Sequence, residues 1–149
     1  MGFDSETAFE SALIKCLVEE KGWKDGVIKY PTEKDLLDNW AKIIFENNRD
    51  IDRLGDFPMT DGEMAQIMGQ IAKLRTPLNL NGFINGGTVQ IIRDNENDTH
   101  NFKKTISLKI FDRNEIAAGR TRYQIAQQPK FKAKNSIYPN RRGDFCLLI

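Results

Sequence analysis

The chain has 149 residues, with 22 Lys and Arg against 21 Asp and Glu, one His, and a formal net charge of +1. Hydrophobic residues make up 40% and charged residues 29%, the balance of a globular domain able to bury one core. No apolar stretch approaches the roughly 20 residues that span a bilayer, the opening residues lack the basic and apolar regions of a leader, and His100 with two distant cysteines is too little for a zinc site. The expectation is a cytoplasmic protein without membrane contact, with Cys16 and Cys146 reduced and in apolar surroundings.

A first helix is predicted over about Thr7 to Lys21. Thr7 and Glu10 have capping-box spacing, Phe9, Leu13, Cys16 and Leu17 form an apolar stripe, and Gly22 is placed to end the helix, with Trp23 folding back. A second helix follows Pro31 with Thr32 as N-cap and Leu36, Trp40, Ile43 and Ile44 as its buried face. A third opens at Thr60, with Glu63 completing a capping box, and carries Met64, Ile67, Met68, Ile71 and Leu74. Pro77 is expected to stop it. Residues 79–87, rich in Asn and Gly, read as a connector.

The period then changes to two. Strands are predicted over Thr88 to Arg93, Thr105 to Phe111, with Ile106, Leu108 and Ile110 facing one way, and Arg122 to Gln128. The polar loop 94–98 between the first two lacks the length, central Gly and closing Glu of an EF-hand. Residues 112–119 read as a connector with a helical turn around Ile116-Ala117-Ala118. Residues 130–140 read as a basic loop with Phe131 and Tyr138 interleaved. Residues 144–149 read as an interior strand, because Phe145 to Ile149 shows no alternation. The sum is one α+β domain, helical over 1–76 and sheet over 80–149, with helices covering a mixed sheet.

Charge is unevenly spread. Residues 1–75 carry 15 acids and 10 bases, and residues 76–149 carry 6 acids and 12 bases. The second half is therefore the candidate for a polyanion partner. Lys130, Lys132, Lys134, Arg141 and Arg142 lead without an intervening acid into Asp144. A carboxylate at the mouth of a buried strand behind two arginines suits a metal ligand. The same residues also suit a capped turn with solvated arginines. Phosphate-loop, dinucleotide and nucleophile-elbow motifs are absent, and Gly82 to Gly87 precedes no helix pattern. Carboxylate-bound divalent metal is the common chemistry left open.

Three stretches, in order, carry a resemblance. Phe9-Glu10-x-x-Leu13-Ile14 with Gly22-Trp23 resembles the opening helix of the restriction (R, motor) subunit of type I restriction-modification enzymes. Arg122-Tyr123-Gln124-Ile125-Ala126-Gln127-Gln128 resembles that family's strand ending in Gln. Arg141 to Ile149 resembles the strand bearing the first acid of its PD-(D/E)xK nuclease motif, with Gly143 where a Pro commonly stands. The resemblance implies a restriction-endonuclease-like fold, truncated before the second catalytic strand with its Glu-x-Lys. It implies an endonuclease cutting DNA with Mg²⁺ as part of an ATP-driven translocating parent, whose ATP-binding motor domains lie outside these residues. DNA and the methylation and specificity subunits are the implied partners. Asp144 matches the metal-binding acid, and Glu10 matches an acid on the first helix near the metal. The basic residues 130–142 would contact phosphates. The chain alone is expected to be a fragment that does not cut DNA. The alternative is a non-catalytic nucleic-acid or protein-interaction module in which Asp144 is a turn residue and Glu10 serves the cap of Thr7.

Overall fold

The computed structural model describes residues 5–23, 26–86, 88–110, 118, 124–132, 140–142 and 145–148. Among these residues the fold is mixed α+β, with four helices, one three-stranded sheet and two two-stranded antiparallel ribbons. No helix among them is long and apolar enough to cross a membrane. The chain divides into two compact units, one formed by Met1–Leu36 with Arg120–Ile149 and the other by Leu37–Gly119. Helix and strand occur in both.

In the first unit, helix α1 spans Glu6–Glu20 and is capped by Ser5, whose hydroxyl accepts from the Ala8 N–H at 3.2 Å. This corrects the expected Thr7–Glu10 capping box. With Ser5 as N-cap the helix starts earlier, and Glu10 stands beyond the third helical position that the box requires. The expected apolar stripe is only half-buried at Leu13, Cys16 and Leu17, and Phe9 is exposed. Gly22 closes the helix with φ +77°, and the Trp23 N–H reaches back to the Leu17 carbonyl at 3.2 Å.

Strand β1, Val27–Lys29, is too short to show a period and was not anticipated. It pairs in parallel with β4, Gln124–Gln127, aligning Val27 with Ile125 and Lys29 with Gln127. On its other side β4 pairs antiparallel with β7, Phe145–Leu148, aligning Gln127 with Phe145. The order is β1-β4-β7, so β4 is central and β7 has one partner among the described residues. Ile125 and Ala126, consecutive in β4 and so on opposite faces, are both fully buried. β4 is thus covered on both faces, and residues 145–148, which the sequence read as an interior strand, form β7 beside it. The expected basic loop contains a ribbon, β5 (Lys130–Lys132) against β6 (Asn140–Arg142), with Lys130 opposite Arg142.

The second unit takes most of helix α2, Glu33–Asn47. The helix starts as the sequence indicates. Thr32 Oγ1 accepts from the Asp35 N–H at 3.2 Å, and Asp35 Oδ2 accepts from the Thr32 N–H at 2.8 Å. The buried face is Leu37, Trp40, Ala41, Ile44 and Phe45, rotated from the expected stripe so that Ile43 is exposed. Helix α3, Asp61–Ala72, carries the expected Thr60–Glu63 capping box and inserts Met64 and Ile67, leaving Met68 exposed. Pro77 does not simply end a helix. It opens another, α4 (Pro77–Gly86), with the Thr76 hydroxyl accepting from the Asn79 N–H at 3.2 Å.

Strands β2 (Thr88–Ile92) and β3 (Thr105–Lys109) form the expected hairpin, burying Val89, Ile91, Ile106 and Leu108 against Ile44, Leu54, Met64 and Ile67. Each fully buried aliphatic side chain of this kind stabilises the fold by about 1.5–3 kcal/mol. Both outer margins of the hairpin are met by side-chain amides. Gln66 donates to the Ile92 carbonyl at 2.9 Å and accepts from its N–H at 2.8 Å. Asn48 does the same to Lys109, at 2.9 and 2.7 Å. Beneath the hairpin loop, Arg93 is fully buried between Glu63, at 2.7 Å, and Asp98, at 2.9 Å. Its remaining N–H groups reach the carbonyls of Phe57 and Pro58.

Candidate functional site

The site is assembled within the first unit, at the carboxyl ends of the parallel strands β1 and β4. Both strands end in the same way at the same level. Tyr30, with φ +52°, precedes Pro31, and Gln128, with φ +48°, precedes Pro129. The left-handed conformation costs a residue with a Cβ about 1–2 kcal/mol, and a residue before proline is normally extended. Pairing holds both turns in place. The Tyr30 N–H donates to the Gln127 carbonyl at 2.8 Å, and the Lys130 N–H donates to the Pro31 carbonyl at 2.7 Å. Thr32 and Lys130 then form a parallel bridge, and both prolines are buried.

This turn carries the Gln128 side chain to helix α1. Its Nε2 donates to Glu10 Oε2 at 2.9 Å. Glu10 is the buried residue of α1, 4% exposed, on a helix whose apolar residues are at best half-buried. Its other oxygen, Oε1, is enclosed and has no hydrogen-bond partner among the described residues. A carboxylate has about four lone-pair sites, and leaving a buried acceptor unsatisfied costs about 1–3 kcal/mol. An oxygen held in this way is suited to a cation or a donor. Glu10 therefore does not serve the helix cap that the sequence also allowed.

Asp144 and Lys134 lie outside the described residues. Asp144 immediately precedes Phe145, which pairs with Gln127, the neighbour of Gln128. Lys130 is exposed. Lys132, Arg141 and Arg142 are placed as backbone of β5 and β6, so the ribbon register draws four of the basic candidates together. No group of three or more His, Cys, Asp or Glu side chains that could hold a metal ion occurs among the described residues.

Sequence reasoning named Glu10 as a candidate, and it did not anticipate the turns at Tyr30 and Gln128 or the bond from Gln128 to Glu10. The available signal was the recurrence of a Pro one residue beyond a short β-prone run, at Lys29-Tyr30-Pro31 and Gln127-Gln128-Pro129. No protein-family model, curated protein or solved structure matches the chain.

Proposed function

We propose that the chain is the opening part of a restriction-endonuclease-like nuclease domain, of the kind found in the R subunit of type I restriction-modification enzymes. The observation that supports this reading is the buried Glu10, whose Oε1 has no partner among the described residues. Glu10 and Asp144 would be the carboxylates offered to Mg²⁺, an ion that prefers carboxylate oxygens and retained waters. When bound, Mg²⁺ supplies charge for a phosphodiester and a more acidic water. Gln128 holds Glu10 through its Oε2, and the β5–β6 ribbon would supply cations for the phosphate backbone of DNA. ATP-driven translocation and contact with methylation and specificity subunits belong to the parent that this reading implies.

The test is metal-directed cleavage of the polypeptide. Fe²⁺ with ascorbate and peroxide cuts backbone beside a bound metal. Cuts are expected next to Glu10 and Asp144, suppressed by excess Mg²⁺ and lost in Glu10→Gln. Scattered cuts indifferent to Mg²⁺ and to Glu10→Gln or Asp144→Asn overturn the reading. A non-catalytic nucleic-acid or protein-interaction module is favoured by one observation, the absence of a three-residue metal cluster among the described residues. On that reading both substitutions leave the cutting pattern unchanged.

A further inference from the structure

We propose that Asn81 in helix α4 is a self-modification site, deamidated by attack of the Gly82 main chain whenever that helix opens. The inference is independent of the nuclease reading. Asn81 is exposed and directly followed by Gly82, so no Cβ crowds the attacking nitrogen. The Gly82 nitrogen bonds to Asn81 Cγ, the Cγ–Nδ2 bond breaks, and ammonia leaves. Water then opens the resulting succinimide at either carbonyl, which places aspartate or isoaspartate at position 81. The reaction draws on the chain and water alone.

The helix is the gate. While α4 is intact, a backbone N–H at this position is committed to a carbonyl one turn back, and helical dihedrals hold it away from the neighbouring side chain. Yet α4 is poorly suited to stay closed. Its ten residues include three Asn and two Gly, and none is charged. A helix of that length depends on packing for its stability. Residues 77–82 are nevertheless all exposed, Leu78 at 80%, while Phe83 is the side chain of α4 packed against the core among those described. Few buried contacts are the condition for local opening at less than the cost of global unfolding. The Thr76 cap at the start of the helix opposes that opening. The product puts a carboxylate on an uncharged helix, and isoaspartate adds a carbon to the main chain and breaks the ladder. Modification therefore keeps α4 open and releases Phe83.

The experiment ages the full 149-residue chain at neutral pH and follows amide loss by peptide mass spectrometry. Fragmentation separates Asn81 from Asn85, which also precedes a Gly in α4. The same chain unfolded in urea supplies the rate with the helix fully open. Folded protein is expected to convert Asn81 more slowly than that, but faster than the exposed Asn79 and Asn97, which no Gly follows. Thr76→Ala removes the cap, raises the open population and should speed conversion about fivefold. Gly82→Ala, whose methyl meets nothing within 4 Å, strengthens the helix and crowds the attacking nitrogen. It should slow conversion by about fivefold or more. Circular dichroism checks that both variants are folded. Conversion at the urea rate, or a folded rate indifferent to Thr76→Ala, overturns the gate. An Asn81 that stays intact in folded protein while the urea-treated chain converts, or that converts no faster than Asn79 and Asn97, overturns the site.

Discussion

Arg93 shows how much a single side chain can organise. Its guanidinium forks over both Glu63 oxygens, at 2.8 and 2.7 Å, and turns Nε to Asp98 at 2.9 Å. Glu63 in turn accepts from the Thr60 and Asp94 N–H groups. The helix cap, the hairpin loop and the buried charge are thus one network. Arg93→Met strands two buried carboxylates and is expected to lower stability by about 3–5 kcal/mol in urea unfolding. At Asp98 burial pushes the carboxyl up, but hydrogen bonds and charge from Arg93, with the Asn101 N–H, bring the net position below the usual value of 3.8. A depressed folded value contributes stability above 3.8 that is lost as pH falls below it. The stability gap between wild type and Asp98→Asn should therefore be constant near neutrality and narrow through the acid limb of a pH series. Gly62 adds a steric condition, since a methyl there would run into the Asp94 carboxylate. Of this cluster only the Thr60–Glu63 spacing was legible in the sequence. Burial of Arg93 was not, because an arginine at a strand end beside a polar loop reads as solvated.

Among the elements, start signals were more legible than faces. Thr32 and Thr60 cap helices as their spacing indicates, because the hydroxyl-to-amide bond is local. Thr76 caps α4 by the same chemistry, yet that helix was hidden by three Asn and two Gly in ten residues. Comparison of two caps separates local from tertiary effects. Thr76→Ala should cost about 1 kcal/mol. Thr60→Ala should cost more, because it also releases Asp94 and loosens Glu63. Thermal melts of the two variants check the order, and equal losses would mean that the Thr60 network adds nothing. Faces were misjudged where tertiary packing decides. The stripe of α2 could be read through Leu36 and Ile43 or through Leu37 and Ala41, and only the hairpin it meets selects the second. In α1 an apolar face was expected, and the side chain that goes inside is an acid. The candidate site was half legible for the same reason. Glu10 could be picked out by type, but the turn at Gln128 that reaches it depends on parallel pairing between residues about a hundred positions apart in the chain.

At the scale of the molecule, charge follows the compact units more informatively than it follows sequence halves. The unit holding Glu10 has 12 bases and 9 acids, and the other has 10 bases and 12 acids. The basic surplus lies with the candidate site and the β5–β6 ribbon. On the proposed nuclease reading, DNA affinity is expected to fall with salt. Arg141→Ser with Arg142→Ser should make the slope of log affinity against log salt shallower by about 2 in fluorescence anisotropy. A slope that does not change would remove the ribbon from the interface. The amides of Gln66 and Asn48, laid along opposite margins of the β2–β3 hairpin, bear on a different kind of association. A foreign polypeptide aligning with this hairpin would first have to evict an internal carboxamide before forming main-chain bonds at Ile92 or Lys109. The hairpin therefore guards itself against templated fibre growth at those two positions, and the groups that do so are neutral carboxamides.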